Sequence, residues 1–288
     1  MTRQIKLILL VTPLLLQGNF GYGQDTSAKV APWFVERFKV TAGVFFPINS
    51  TNVQVSSNSG TIGTDIDFED DLSFDKSTVT FVADLQWRAS RRSRFDLKYF
   101  LIDREVAKTL DRDIVFGEET YPANTDINGF FKTTIYRFSY GYAVLAKPKY
   151  ELGLMIGTHV VEAGTGLSAV GPNVGGSVSS EFDSTAPLPD VGIWGGYAMS
   201  DQFAINGEIG YLSLNVDNID GRILSYNATV TYRAVENLHF SLAYTGLNFR
   251  LDVEKTNASG RLKWGYNGPT LAATYAFGKR PWSTSQIK

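Results

Sequence analysis

Across residues 187–277, bulky apolar side chains take every second position in a series of short segments. Phe203, Ile205, Gly207, Ile209 and Tyr211 fall on one side of an extended strand, with Ala204, Asn206, Glu208 and Gly210 on the other. Leu238, Phe240, Leu242 and Tyr244 repeat the pattern, as do Leu271, Ala273, Tyr275 and Phe277. A period of two is the mark of β-structure. Bulky residues facing one way and small or polar ones the other predict strands with one face in lipid and one in a polar lumen. Hydrocarbon offers no water to the backbone, so such strands must close on themselves.

The expected fold is therefore all-β: a single up-and-down antiparallel transmembrane β-barrel of about ten strands. The strands are expected near 38–46, 79–88, 94–104, 127–144, 150–161, 188–198, 203–214, 223–232, 238–253 and 261–277. Turns at 90–93, 146–149, 199–201 and 234–237 are short; connections at 108–125, 163–186, 216–221 and 255–260 are mostly longer. Short turns on the periplasmic side and long loops outside is the usual asymmetry, and it predicts both termini in the periplasm. In 261–277 the apolar parity switches at Asn267-Gly268-Pro269, from Leu262, Trp264 and Tyr266 to Leu271, Ala273, Tyr275 and Phe277. Two strands there would be too short to span, so the switch predicts one strand with a bulge and puts Arg261 and Lys263 in the lumen. Residues 47–75 leave two readings. Val53 and Val55 with Ile66 and Phe68 could form one more hairpin and give twelve strands. The acidic run Asp65, Asp67, Glu69, Asp70 and Asp71 argues against lipid and for an extracellular loop or an inward plug.

The N-terminus carries Arg3 and Lys6, an apolar run at 7–16 and Gly21-Tyr22-Gly23. That pattern predicts a cleaved signal peptide at 1–23, since the run is too short to cross a bilayer as a helix. Residues 24–36 are then a periplasmic linker, 37–277 the barrel and 278–288 a periplasmic tail. The chain has no Cys, which excludes a disulfide framework, a thiolate metal site and a Cys nucleophile. Mean hydropathy is −0.09, low for a membrane protein built of helices but ordinary for a barrel, whose lumen residues dilute the lipid-facing half. A net charge of −2 provides no basic field for nucleic acid.

The stretch Gly63-Thr64-Asp65-Ile66-Asp67-Phe68-Glu69-Asp70-Asp71-Leu72, then Trp87-Arg88 and Leu110-Asp111-Arg112-Asp113-Ile114-Val115-Phe116-Gly117, resembles an uncharacterised family of Gram-negative outer-membrane β-barrel proteins. Tyr150-Glu151-Leu152-Gly153-Leu154, Pro187-Leu188-Pro189 and Tyr266-Asn267-Gly268-Pro269 extend the likeness over most of the mature chain. The resemblance implies fold and an outer-membrane location, and it carries no activity. Tyr275-Ala276-Phe277 also resembles the aromatic-ended strand that the outer-membrane assembly machinery reads, which implies that machinery as a partner beside outer-membrane lipid and lipopolysaccharide.

Strand parity assigns the lumen. Asp84, Gln86, Arg88, Arg94, Asp96, Lys98, Arg137, Glu151, Met155, His159, Asn206, Glu208, Asn227 and Thr229 are expected to face inward. Of these, Asp84, Arg88, Asp96, Lys98, Arg137, Glu151 and Glu208 are the candidate charged layer. Asp84, Lys98, Arg137 and Glu208 lie at comparable distances from their turns. A ten-stranded barrel is narrow, so these charges are expected to neutralise one another, and Phe100, Ile102 and Ile135 add to a packed interior.

The expected role is structural, for the envelope, or in surface interaction. The alternatives are a narrow channel or carrier for a small solute gated by charged rings, and a lipid-modifying hydrolase. The hydrolase would need Ser168 or Ser177 and Glu162 or Glu181 near His159, and parity puts Glu162 on the opposite face. The acidic run lacks the spacing of a Ca²⁺ loop, and Gly171 to Gly176 neither follows a strand nor opens a helix as a phosphate cradle does. No metal, cofactor or catalytic residue is therefore expected.

Overall fold

In the computed structural model the described residues are 30–55, 63–216, 219–255, 258–279 and Trp282. The expected signal peptide, residues 24–29 of the expected linker and most of the expected tail lie outside them. The strands are β1 (Phe38–Phe45), β2 (Ile48–Val55), β3 (Asp65–Asp67), β4 (Thr80–Arg88), β5 (Ser93–Thr109), β6 (Ile114–Phe116) and β7 (Glu119–Tyr121). They continue with β8 (Asp126–Ala146), β9 (Tyr150–Gly171), β10 (Gly176–Ala198), β11 (Phe203–Val216), β12 (Ile219–Val235), β13 (Leu238–Lys255) and β14 (Ala258–Phe277). Ten of them form a ring in the order β1-β4-β5-β8-β9-β10-β11-β12-β13-β14, closed by antiparallel pairing of β1 with β14. We call the end with the short turns the base and the other end the crown.

Ten strands is the right count, and the alternative of twelve falls on the register. β1 and β2 lie on β14 in one continuous alignment, Phe45 opposite Thr270 and Ile48 opposite Asn267, with the Phe46 amide bonded to the Pro269 carbonyl at 3.0 Å. β2 is therefore β1 continued past Pro47, which lacks the N–H a ladder needs. Its partner β3 spans three residues and adds nothing to the wall.

The expected bulge at Asn267-Gly268-Pro269 is absent. β13 and β14 keep one register from Leu238–Tyr275 to Lys255–Ala258. Parity never switches; the surroundings do. Leu271 and Tyr275 point out into lipid, whereas Trp264 and Tyr266 point inward and are buried, and Lys263 is exposed on the outside. The expected inward placement of Arg261 and Lys263 is thus reversed. β13 repeats the inversion: Phe240, Leu242 and Tyr244 face out, but Leu247 and Phe249 are buried within. On β8, Phe138, Tyr140 and Tyr142 face out near the base. Nearer the crown Phe131 and Ile127 face in, while Lys132 pairs outside with Asp103 at 2.9 Å.

Two solvents explain this. Near the base the wall stands in lipid, so apolar residues go out and polar ones in. The crown stands in water, so the ordinary rule of an apolar inside returns. β8, β9 and β10 run 21, 22 and 23 residues, about twice the 9–11 that a tilted strand needs to cross. The expected loop at 163–186 is accordingly strand, β9 and β10 pairing up to a turn at Pro172–Val174.

Of the readings for residues 47–75, the inward plug is what forms. Ile66, Phe68, Leu72 and Phe74 are buried among Phe45, Ile102, Ile127, Phe131, Leu247 and Trp264. Phe68 stacks on Phe74 at 5.1 Å and meets Phe131 edge-on at 5.8 Å. Each such ring contributes about 1.5–3 kcal/mol by leaving water. The hairpin β6–β7 lays Ile114, Phe116 and Tyr121 over this core, and Tyr121 donates to the Leu167 carbonyl at 2.8 Å. Burial pushes its hydroxyl up to about 12. The acidic run stays at the plug's polar edge: Asp67 accepts the amides of Glu69 and Asp70 at 3.0 and 2.9 Å.

Residues 30–36 lie across the base. Ala31, Phe34 and Val35 pack with Ala204 and Trp282, the Ala31 amide bonds the Trp282 carbonyl at 2.7 Å, and Trp33 donates to the Ser200 carbonyl at 2.8 Å.

The two-solvent reading predicts opposite responses on one strand. Trp264→Ala should cost about 3–5 kcal/mol in urea unfolding. Leu271→Arg should cost about 2–4 kcal/mol, and Lys263→Glu should stay within about 0.5 kcal/mol. Brominated lipid should quench a variant retaining Trp87 alone and spare one retaining Trp264 alone.

Candidate functional site

Between plug and base lies a chamber of about 270 Å³. It exists because the two sides of the wall carry different sizes of residue. β1, β12, β13 and β14 turn mostly small or hydroxyl side chains inward, such as Thr41, Thr229, Ala243, Ala272 and Thr274, with Lys39 on β1 the long charged exception. β4, β5, β8 and β11 turn long charged ones inward. The roof is three rings set edge-on to one another: Phe45, Phe100 and Tyr266, with centroids 5.1–5.9 Å apart. Phe34 and His239 contribute to the floor.

The charges fall in tiers. Nearest the base, Arg88 grips Glu151 with two hydrogen bonds of 2.7 and 3.1 Å, and Arg91 reaches the same carboxylate at 3.1 Å. At chamber level Glu208 is the hub, accepting from Lys98 at 2.7 Å and Arg137 at 2.8 Å and facing Arg94 at 3.4 Å. Arg94 also lies 3.3 Å from Asp96, and Arg137 lies 3.5 Å from Asp190, which accepts from Ser225 at 3.1 Å. Gln86 donates to Asp96. The third tier sits inside the apolar plug, where Arg104 pairs with Glu69 at 2.5 Å and Glu69 accepts the Thr51 amide at 2.7 Å.

Trp194 connects the lower tiers. Its indole occupies a notch left by Gly141 and Gly153, where a Cβ at either position would lie 2.7 Å from the ring. Arg94 stacks over that ring with its guanidinium carbon 3.7 Å from the centroid, a cation–π contact that also fixes the arginine's aim at Glu208.

Six of the seven expected layer residues are in this network: Arg88, Asp96, Lys98, Arg137, Glu151 and Glu208. They form two tiers and not the single layer expected. Asp84 lines the chamber but makes no hydrogen bond or ion pair among the described residues. Parity reasoning missed Asp190, Lys39 and Trp194. All three follow from the alternation already used elsewhere: Val40 and Val44 outward put Lys39 inward, and Val191 and Ile193 outward put Asp190 and Trp194 inward. The Arg104–Glu69 tier had no periodic signal, because Glu69 lies in the plug and not in a wall strand.

The hydrolase residues are not assembled. His159 is buried between Arg137 and Leu188 in the pairing, and Glu162 is exposed on the outer face. Ser168 lies nine positions further along β9, roughly 30 Å away at strand spacing. Ser177 and Glu181 are exposed in the crown. Among the described residues no group of three or more metal-ligating side chains converges.

The fold has relatives among solved structures. A crystal structure of the outer membrane protease OmpT from Escherichia coli superposes with a TM-score of 0.52 at 14% identity, covering 85% of this chain and 100% of that one. The toluene transporter TodX of Pseudomonas putida gives 0.37 at 8% identity, over 88% and 94% of the two chains. Ail, the attachment invasion locus protein of Yersinia pestis, gives 0.30 at 10%, over 81% and 99%. The OmpT likeness shows the outer-membrane β-barrel fold; the two weaker ones add no argument. No protein-family model and no curated protein matches the chain.

Removing the hub tests the network. Glu208→Ala strands three cations and should cost about 3–5 kcal/mol. Adding Lys98→Met should recover part of that loss in a double-mutant cycle of denaturant midpoints.

Proposed function

We propose that the protein is an integral outer-membrane barrel without a through-pore and without enzymatic activity, acting at the cell surface through its crown in a structural, envelope or surface-interaction role. The observation that carries this reading is the contiguous apolar core from the roof rings Phe45, Phe100 and Tyr266 up to Ile114, Phe116 and Tyr121, in which the Arg104–Glu69 pair is itself buried and neutralised. A conducting barrel needs a wet path along its axis, and at this diameter side chains suffice to fill it. The narrow-channel alternative therefore loses its support above the chamber. The hydrolase alternative loses its support with the dispersal of Ser168, Ser177, Glu162 and Glu181 away from His159.

The orientation follows the same asymmetry. Short turns at the base favour a periplasmic base with both termini there, and a crown facing the medium. Outer-membrane lipid and lipopolysaccharide then surround the belt of Phe138, Leu154, Ile193 and Leu271, and the assembly machinery reads β14. Three paired strands built to twice the membrane's thickness, together with a hairpin and a plug, make a rigid surface and not a mobile loop.

Arg112 pins that surface by a hydrogen bond to Asp71 at 2.6 Å, close to the amide of Val115, which bonds the Thr64 hydroxyl at 2.9 Å. Burial works to raise the Asp71 carboxyl, but the Arg112 hydrogen bond, with the Asp67 amide, holds it below its ordinary 3.8. A depressed folded value means the contact stabilises fully above the unfolded value and is lost as pH falls through the folded one.

Two measurements check the reading. Purified protein in planar bilayers should give no steady single-channel steps. Regular openings altered by Arg137→Ala would overturn it. The protection factor of the Val115 amide, its exchange rate measured against the intrinsic rate at each pH, should fall as the pH drops below about 4, and Asp71→Asn should remove that fall.

A further inference from the structure

The chamber's network leaves two charges over. Lys39 on β1 and Asp84 on β4 both line it, and neither makes a hydrogen bond or ion pair among the described residues. Lys39 stands opposite Gln86, and Thr41 opposite Asp84. The two charged residues are therefore diagonal neighbours on one face, with Cβ atoms about 7 Å apart.

The obvious partners are taken. Lys98 faces Asp84 directly across β4–β5 yet reaches past it to Glu208 at 2.7 Å. Asp96, the carboxylate nearest Lys39 in the pairing, is held by Gln86 and by Arg94 at 3.3 Å. Glu36, the carboxylate whose charge acts most on Lys39, makes no ion pair with it and lies 3.7 Å from His239.

An ammonium and a carboxylate without an ion pair in one partly buried chamber carry a desolvation cost that each would shed on meeting an opposite charge. They feel each other's charge but form no ion pair, and both line the chamber. The chamber's lining cations (Lys39, Arg94, Lys98, Arg137) and carboxylates (Asp84, Asp96, Glu208) nearly balance, with Asp190 and Glu36 behind, so the field favours neither sign of net charge strongly. The facing wall offers hydroxyls, Thr41 and Thr274 already bonded to each other at 2.8 Å and Ser241, Thr245 and Thr270 beside them. The space of about 270 Å³ is ample for a molecule of a few heavy atoms.

We propose that the chamber binds a small zwitterion, its anionic group on Lys39, its ammonium on Asp84 and its short body against the hydroxyl wall. This goes beyond the surface role above and stands or falls separately from it. A non-conducting barrel can hold a solute in its base.

The test is calorimetric titration of the full mature protein in detergent micelles at pH 7 with β-alanine and γ-aminobutyrate. Propionate, propylamine and glycerol serve as probes of each half and of the body. One of the zwitterions should bind at least about tenfold more tightly than propionate or propylamine, tenfold being the value of one modest charged contact. Lys39→Met and Asp84→Asn should each abolish that preference, and Lys132→Met on the outer surface should leave it intact. A second readout covers folding: because neither charge makes an ion pair or hydrogen bond within the protein, Lys39→Met and Asp84→Asn should leave the denaturant midpoint without added ligand unchanged or raised. No heat with either zwitterion, equal binding of propionate alone, or binding undiminished in Lys39→Met would each overturn the proposal. So would a midpoint that drops in Lys39→Met as it does in Glu208→Ala, since the charge would then already have its partner.

Discussion

Every feature of this molecule depends on one requirement: each backbone amide in the lipid-facing zone must find a partner within the chain. A sheet can meet it there by having no edge, and here the edge is removed where β1 lies on β14. Closure then fixes the diameter, and the diameter decides that the lumen is a place to be packed and not a conduit. Salt bridges, rings and chamber are consequences of a wall that had to close.

Closing the wall does not dictate what faces which way, because one strand passes through two media. β14 carries Tyr275 and Leu271 into lipid and, eight residues on, Lys263 into water, on the same side of the sheet and without a shift in pairing. Its inner side runs the other way, from Thr274 and Thr270 facing the chamber to Tyr266 and Trp264 in oil. The boundary between these regimes is the chamber's roof. Below it the protein neutralises buried charge with charge around Glu208, and above it buries rings against rings.

The fold was legible in the chain because period-two alternation with bulky apolar residues on one face recurs strand after strand, and the same parity puts all seven candidate charges on the inner face, six of them in the ion-pair network. Residues 261–266 misled for a physical reason. The same alternation with inverted polarity looks like a shifted strand when the surrounding medium is assumed constant. The stretch 163–186 failed similarly, since Gly164, Gly166, Ser168, Ser177 and Ser179 look like a loop but sit in strands whose stability comes from their neighbours and not from their propensity. Lys39 and Asp190 were within reach of the method. Arg104 with Glu69 was not, because no periodicity connects a wall strand to a segment folded inside it.

That last pair has a consequence for how the inner segment chooses its seat. Phe68, Leu72 and Phe74 are greasy and interchangeable enough to settle into the crown in more than one alignment. A carboxylate is less forgiving. With Glu69 fastened to Arg104 and to the Thr51 amide, sliding the segment by one residue would leave an ion in oil without a counter-ion, at a cost of several kcal/mol. The polar pair thus acts as an index mark: it adds little holding strength, but it makes one seating of the greasy residues far cheaper than its neighbours.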